Sequence, residues 1–203
     1  MEVSEIVIDK PRVIKIPEHL VYEVMDGKPI PYRGFQEVLD NNKSLEDIIG
    51  SSGLQAVVVS SVLRFLYASL PEDQYEIVTN EAGLHLGQKN NLATDIGIYT
   101  ADVLLPERIT DKYLAVPPLI AIGIDTKADM NQFENPQDYF YQKTNKLLEF
   151  GTQKVVWITT VSKKVTVATA QDDWITHDWN KPIAIVPNIS CNLAELFSKR
   201  GVK

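Results

Sequence analysis

The sequence predicts an α/β fold built on one mixed β-sheet flanked by helices, and three observations carry that prediction. Pro118 to Ile124 is an apolar run holding three isoleucines, the pattern of a strand buried on both faces. A helical stretch from about Pro136 to Phe150 and a second apolar run, Lys154 to Thr160, follow it. Strand, helix and strand at this spacing form a βαβ unit, so the two strands should run parallel with a right-handed crossover. Gly53 to Leu70 places Leu54, Val57, Val58, Val62, Phe65, Leu66 and Leu70 at helical spacing, and Pro71 stops it. A chain of 203 residues without repeats or low-complexity tracts suits a single domain over 1–203.

In chain order, Arg12 to Pro17 and Val21 to Met25 have β character, and Asp26-Gly27 is a hairpin-turn signal before Lys28-Pro-Ile-Pro-Tyr. Ser51 or Ser52 can cap the Gly53 helix. Gln74 to Thr79 and Ala82 to Leu86 read as two strands, followed by the polar turn Gly87-Gln-Lys-Asn-Asn and the strand Leu92 to Tyr99. In the helix after the organising strand, Pro136 suits the first turn and Gly151 the C-terminal cap, with Phe140, Thr144, Leu147 and Leu148 as the buried stripe and Lys143 on the same side. Ser162-Lys-Lys164 returns the chain antiparallel through Val165 to Ala170. Pro182 to Val186 can add an edge strand, and Asn192 with Glu195 starts a last short helix ending near Gly201.

Composition removes several function classes. No apolar run approaches the ~20 residues of a membrane span, and the N-terminus lacks the basic and apolar regions of a secretion signal, so a cytoplasmic location is expected. Cys191 is the only cysteine and the three histidines lie far apart, so any metal would be held by oxygen. The net charge of −7 counts against broad, non-specific phosphate contacts. The acidic excess is confined to residues 1 to 100, which carry 8 basic and 15 acidic side chains, against 12 of each in residues 101 to 203.

The candidate chemistry lies at strand ends. Side chains alternate along a strand, so Asp125 and Lys127 should share a side at the carboxyl end of the Pro118 strand, where open α/β sheets form their sites. Asp95 interrupts the earlier apolar strand. An acid followed by a distant Asp-x-Lys can serve metal-assisted phosphodiester hydrolysis, with Asp95 and Asp125 holding Mg²⁺ or Mn²⁺ and Lys127 stabilising charge on the phosphate. The same residues also fit a plain surface ion pair.

The chain resembles the Uma-two family within the PD-(D/E)XK nuclease superfamily of restriction endonucleases. The resemblance is carried by Tyr22-Glu-Val-Met-Asp-Gly27, Thr94-Asp95-Ile-Gly-Ile, Pro118 to Ile124, and Lys143-Thr-Asn-Lys-Leu-Leu-Glu-Phe-Gly-Thr-Gln-Lys-Val-Val-Trp157-Ile. It implies a restriction-endonuclease-like fold, Asp95 as the first metal-binding Asp, Glu23 as the N-terminal acid and Lys143 as the helix lysine. Two departures stand out. Thr94 replaces the proline of the Pro-Asp motif, and Gly123 falls where a catalytic glutamate is expected. Either Asp125 has taken over the acid role, or activity is lost.

The expected function is therefore divalent-metal-dependent hydrolysis of DNA. Its rival is an inactive nuclease-fold protein that binds nucleic acid or a protein partner through the same cleft. The resemblance also allows a homodimer, since many such nucleases pair to cut both strands, although the sequence carries no interface signature. Structural roles remain open for individual residues: Lys143 can simply cover apolar surface, Glu23 can border the hairpin, and Trp157, Trp174 and Trp179 suit packing.

Overall fold

A computed structural model of the chain describes residues 15–198. Strand β1 (Val21–Met25) and strand β2 (Lys28–Pro31) form the expected hairpin, closed by Asp26 and Gly27 at φ of 52° and 76°. Positive φ at both central residues gives a turn whose twist matches that of paired strands. The β run expected from Arg12 lies largely outside the described residues, and Lys15 to Pro17 form no strand. Two short helices that the sequence reading did not assign follow, α1 (Phe35–Leu39) and α2 (Glu46–Ile49). Helix α3 (Gly53–Ser69) begins where Ser52 Oγ accepts the Gln55 N–H at 3.1 Å. It buries Val58, Val62 and Leu66, each contributing roughly 1.5–3 kcal/mol when fully removed from water.

The two strands expected between Gln74 and Leu86 are one, β3 (Tyr75–Gly87), with a bulge between Thr79 and Ala82. Strand β4 (Asn90–Thr100) pairs with it along its length. Strand β5 (Ile120–Ile124) is fully buried, and α4 (Pro136–Phe150) leads to β6 (Lys154–Thr159), which runs parallel to β5 as expected. A reciprocal capping box between Asn135 and Asp138 starts α4, and left-handed Gly151 ends it. Strands β7 (Lys164–Thr169) and β8 (Ile175–Asp178) complete an eight-stranded mixed sheet. The expected edge strand is instead part of a separate two-stranded sheet, β9 (Ile183–Val186) with β10 (Ile189–Cys191). Helix α5 (Leu193–Ser198) follows, its Asn192 and Glu195 bonded as the sequence suggests, while the expected stop at Gly201 lies outside the described residues.

Alternation along β5 and β6 divides the core. Ile120, Ile122, Ile124, Val156 and Ile158 pack with α3, α5 and β9, whereas Ala121, Val155 and Trp157 pack with α4. No helix among the described residues is long and apolar enough to cross a membrane.

The feature that positions the site is a split in the sheet. Because β3 takes one whole edge of β4, β1 and β5 must share the other, β1 at Asn91 and β5 at Ile96 to Ile98. Between those contacts, side chains replace the missing ladder. Glu23 Oε1 accepts the Ala93 N–H at 2.7 Å, Thr94 Oγ1 donates to the Ile122 carbonyl at 3.0 Å, and Asp95 Oδ2 accepts the Ile124 N–H at 2.7 Å. Two carboxylates are thereby drawn to one gap, since a buried backbone N–H must find a partner.

Candidate active site

Glu23 and Lys143 meet on the α4 side of the split in a closed cluster. Lys143 Nζ donates to Glu23 Oε1 at 2.5 Å, and the two side chains are 4% and 0% exposed. Tyr139 Oη donates to Glu23 Oε2 at 2.8 Å. Burial above all, and then the negative charge of Glu23, pushes the Tyr139 hydroxyl well above its ordinary pKa, so it keeps the proton it donates. The Lys143 ammonium also lies 5.3 Å from the centre of the Trp157 ring. With all of these partners in place, Glu23 and Lys143 are saturated and sealed from solvent.

Trp157 explains Gly123. A Cβ at Gly123 would stand 2.3 Å from Cζ3 of the Trp157 ring, which is held in place by its Nε1–H donating to Thr144 Oγ1 at 2.8 Å. The indole thus fills the space beside Lys143 that a side chain at Gly123 would enter. A glutamate restored at this position would collide with that ring.

Asp125 departs from the alternation expected of it. Its φ of 55° takes it out of the extended backbone, and both carboxylate oxygens turn to Thr160, accepting its N–H at 2.8 Å and its hydroxyl at 2.7 Å. It ties the end of β5 to the end of β6. Asp125 lines a neighbouring cleft together with Thr160 and Lys127, and Asp95 lines the adjoining one, which Lys127 shares.

Asp95 has a different companion, Glu81. Asn80 and Glu81 form the bulge in β3 with φ of 71° and 54°, and they line one open cleft of about 970 Å³ together with Asp95, Lys127 and one face of α3. Lys127 makes an ion pair with Glu81. The loop carrying Lys127 is pinned from behind, because the Arg33 N–H donates to the Lys127 carbonyl at 2.6 Å. Burial raises the Asp95 carboxyl to a pKa of about 6, against the opposing pull of the Ile124 N–H and the lysines 143 and 127, and Glu81 raises it further. Asp95 Oδ1 has no hydrogen-bond partner among the described residues. Glu81 escaped the sequence reading. The only signal was the break between two β-like runs, which marks a bulge as readily as a loop.

Among the described residues no three His, Cys, Asp or Glu side chains cluster as a metal cage. Two carboxylates without nitrogen or sulfur donors do match the preference of Mg²⁺, which keeps several waters and draws further ligands from substrate phosphates. The donor set therefore fits a hard, weakly held cation.

Fold and cleft together define an α/β protein with a large mixed sheet and a carboxylate-lined split. The structure aligns with the crystal structure of "a putative nuclease belonging to DUF820" from Anabaena variabilis ATCC 29413, with a TM-score of 0.63 and 16% sequence identity, over 87% of this chain and 89% of that one. At that identity the likeness is one of fold. No family model matches the chain, and no curated protein matches it by sequence.

Proposed function

We propose that this protein is a divalent-metal-dependent phosphodiesterase acting on nucleic acid, with its site at Asp95, Glu81 and Lys127. The observation that carries the reading is the pairing of two carboxylates and a lysine in one open cleft, at the point where β4 parts from β5. Asp95 and Glu81 would hold Mg²⁺ or Mn²⁺, which when bound supplies Lewis acidity and lowers the pKa of a coordinated water. Lys127, held by Arg33 and Glu81, donates to a non-bridging phosphate oxygen as charge builds there. Water adds across the P–O bond, leaving a phosphate monoester on one product and a hydroxyl on the other. Glu23 and Lys143 support the split from behind without touching substrate.

Cleavage of supercoiled plasmid and of single-stranded DNA and RNA with Mg²⁺ or Mn²⁺ tests this directly. Wild type should cut. Asp95→Asn should abolish cutting, and Lys127→Ala should slow it by ~10²-fold. A second reading, a nuclease-fold protein that binds without cutting, is favoured by one observation: the Trp157 ring occupies the space over Gly123. Retention of nucleic acid by a stable wild-type protein without any metal-dependent cleavage would select it.

A further inference from the structure

The walls of the cleft carry few cations and well-placed aromatic rings. Ser60, Arg64 and Tyr67 follow one another at helical spacing along the α3 face that forms one wall, and Tyr67 is 61% exposed. Arg64 makes no salt bridge with a described residue, while the cleft's other cation, Lys127, is engaged with Glu81. Beyond Glu81 lies a second, smaller cleft, which Glu81 also lines together with Tyr32 and Tyr113. Tyr113 is 58% exposed, yet its ring is seated. It lies over Gly83, where a Cβ would come within 2.6 Å of it, and the adjacent Leu114 is bonded to β3 through the Gly83 carbonyl at 2.9 Å. An exposed ring thus stands in each cleft, with Glu81 lining both.

We infer that the nucleic acid recognised here is single-stranded, its bases stacking on Tyr67 and Tyr113 to either side of the Asp95–Glu81 carboxylates. A duplex is gripped through many phosphates at once, which needs a field of Lys and Arg. The main cleft offers only Arg64 and Lys127, and the Tyr113 side is lined by the acids Glu18, Glu23 and Glu81 and by no cation, so it can take a base against its ring but turns a phosphate away. Unstacked bases fit such walls because every base has a π-face, and stacking supplies affinity that the sparse charge does not. Arg64 would meet a backbone phosphate on the Tyr67 side. The inference deepens the phosphodiesterase reading and rests on it for the position of the scissile phosphate between the rings.

The test is fluorescence anisotropy of the full chain with short labelled single strands of DNA and of RNA, and with a duplex of the same sequence, in EDTA so that nothing is cut. Single strands should bind at least about tenfold more tightly than duplex, and Tyr67→Ala and Tyr113→Ala should each weaken single-strand binding by about tenfold, with the Phe variants restoring it. Preference for the DNA or the RNA strand identifies the source of the ligand, and either supports the inference. Equal or tighter duplex binding, no effect of the Ala variants whose thermal melting matches wild type, or no binding to any of the three overturns it. Single-strand binding that depends on both tyrosines, without cleavage on adding Mg²⁺, keeps the inference and removes the hydrolysis reading. Duplex cleavage indifferent to both tyrosines does the reverse.

Discussion

Two acid–lysine pairs stand on either side of the sheet split, and they differ in almost everything but residue type. Glu23 and Lys143 are buried, in contact at 2.5 Å, and completed by Tyr139, the Ala93 N–H and the Trp157 ring. Glu81 and Lys127 sit partly open in a cleft, next to Asp95, a carboxylate with one oxygen uncommitted among the described residues. A fully satisfied buried pair has nothing left to offer a substrate, whereas an incompletely satisfied one at a solvated gap can take a cation or a phosphate. The comparison teaches that chemistry follows unsatisfied coordination. The buried pair braces the split through the Ala93 N–H, and the partly open pair lines the cleft beside it.

The largest effect expected from this contrast is on stability. Lys143→Met leaves Glu23 charged and unpaired, which should cost ~3–5 kcal/mol in urea unfolding, and adding Glu23→Gln should return a large part of it. A loss below about 1 kcal/mol would mean that the cluster is not sealed.

Next comes a pH dependence confined to the open side. The Asp95 carboxyl is raised from 3.8 to about 6 in the folded protein, so the native state binds more protons than the unfolded chain between those values. Its contribution is therefore fully present below about pH 4 and is lost as pH rises through about 6, by up to ~3 kcal/mol. Without divalent cations, Asp95→Asn should remove this slope from stability measured against pH. A slope that survives the substitution would assign it to another group.

Crowding beside the closed cluster comes third. Gly123→Ala should cost ~1–3 kcal/mol by forcing the Trp157 ring to move, and it should cost less in a Trp157→Phe background. Equal costs in the two backgrounds would show that the ring is not what excludes a side chain. Gly123→Glu is expected to misfold the protein and not to restore a ligand.

The smallest effect belongs to Asp125. Asp125→Ala should lower stability by ~1–2 kcal/mol through loss of its two Thr160 bonds, while leaving metal-dependent cleavage within a few-fold of wild type. Abolished cleavage in a folded Asp125→Ala protein would return the acid role to this residue.

The readable parts of the sequence were those governed by neighbours in the chain. The Asp26-Gly27 turn, the Ser52 and Asn135 caps, the Gly151 stop and the parallel β5–β6 pair all follow from local chemistry and periodicity. Glu81 was hidden because Asn80 and Glu81 both adopt positive φ, so two-residue alternation fails where the functional side chain is aimed. The Thr160 bonds of Asp125 were hidden for the same reason: its left-handed backbone, tolerated by Asp better than by most residues, turned the carboxylate to Thr160. The fit of Trp157 over Gly123 joins adjacent strands across an intervening helix, and no local pattern announces it. Helices α1 and α2 are short and bury no residue fully, so they leave little apolar periodicity to read.

The central claim is that hydrolysis runs from Asp95, Glu81 and Lys127, and Glu81→Gln tests it most directly because that side chain is partly exposed and bears no part of the core. The measurement is the single-turnover rate of Mn²⁺-dependent nucleic acid cleavage, taken beside the thermal midpoint of the same preparation. The account predicts a rate lowered by ~10²-fold or more in a protein that still folds cooperatively, its midpoint lowered only by the loss of the Lys127 ion pair. A Glu81→Gln protein that cuts at the wild-type rate would contradict it.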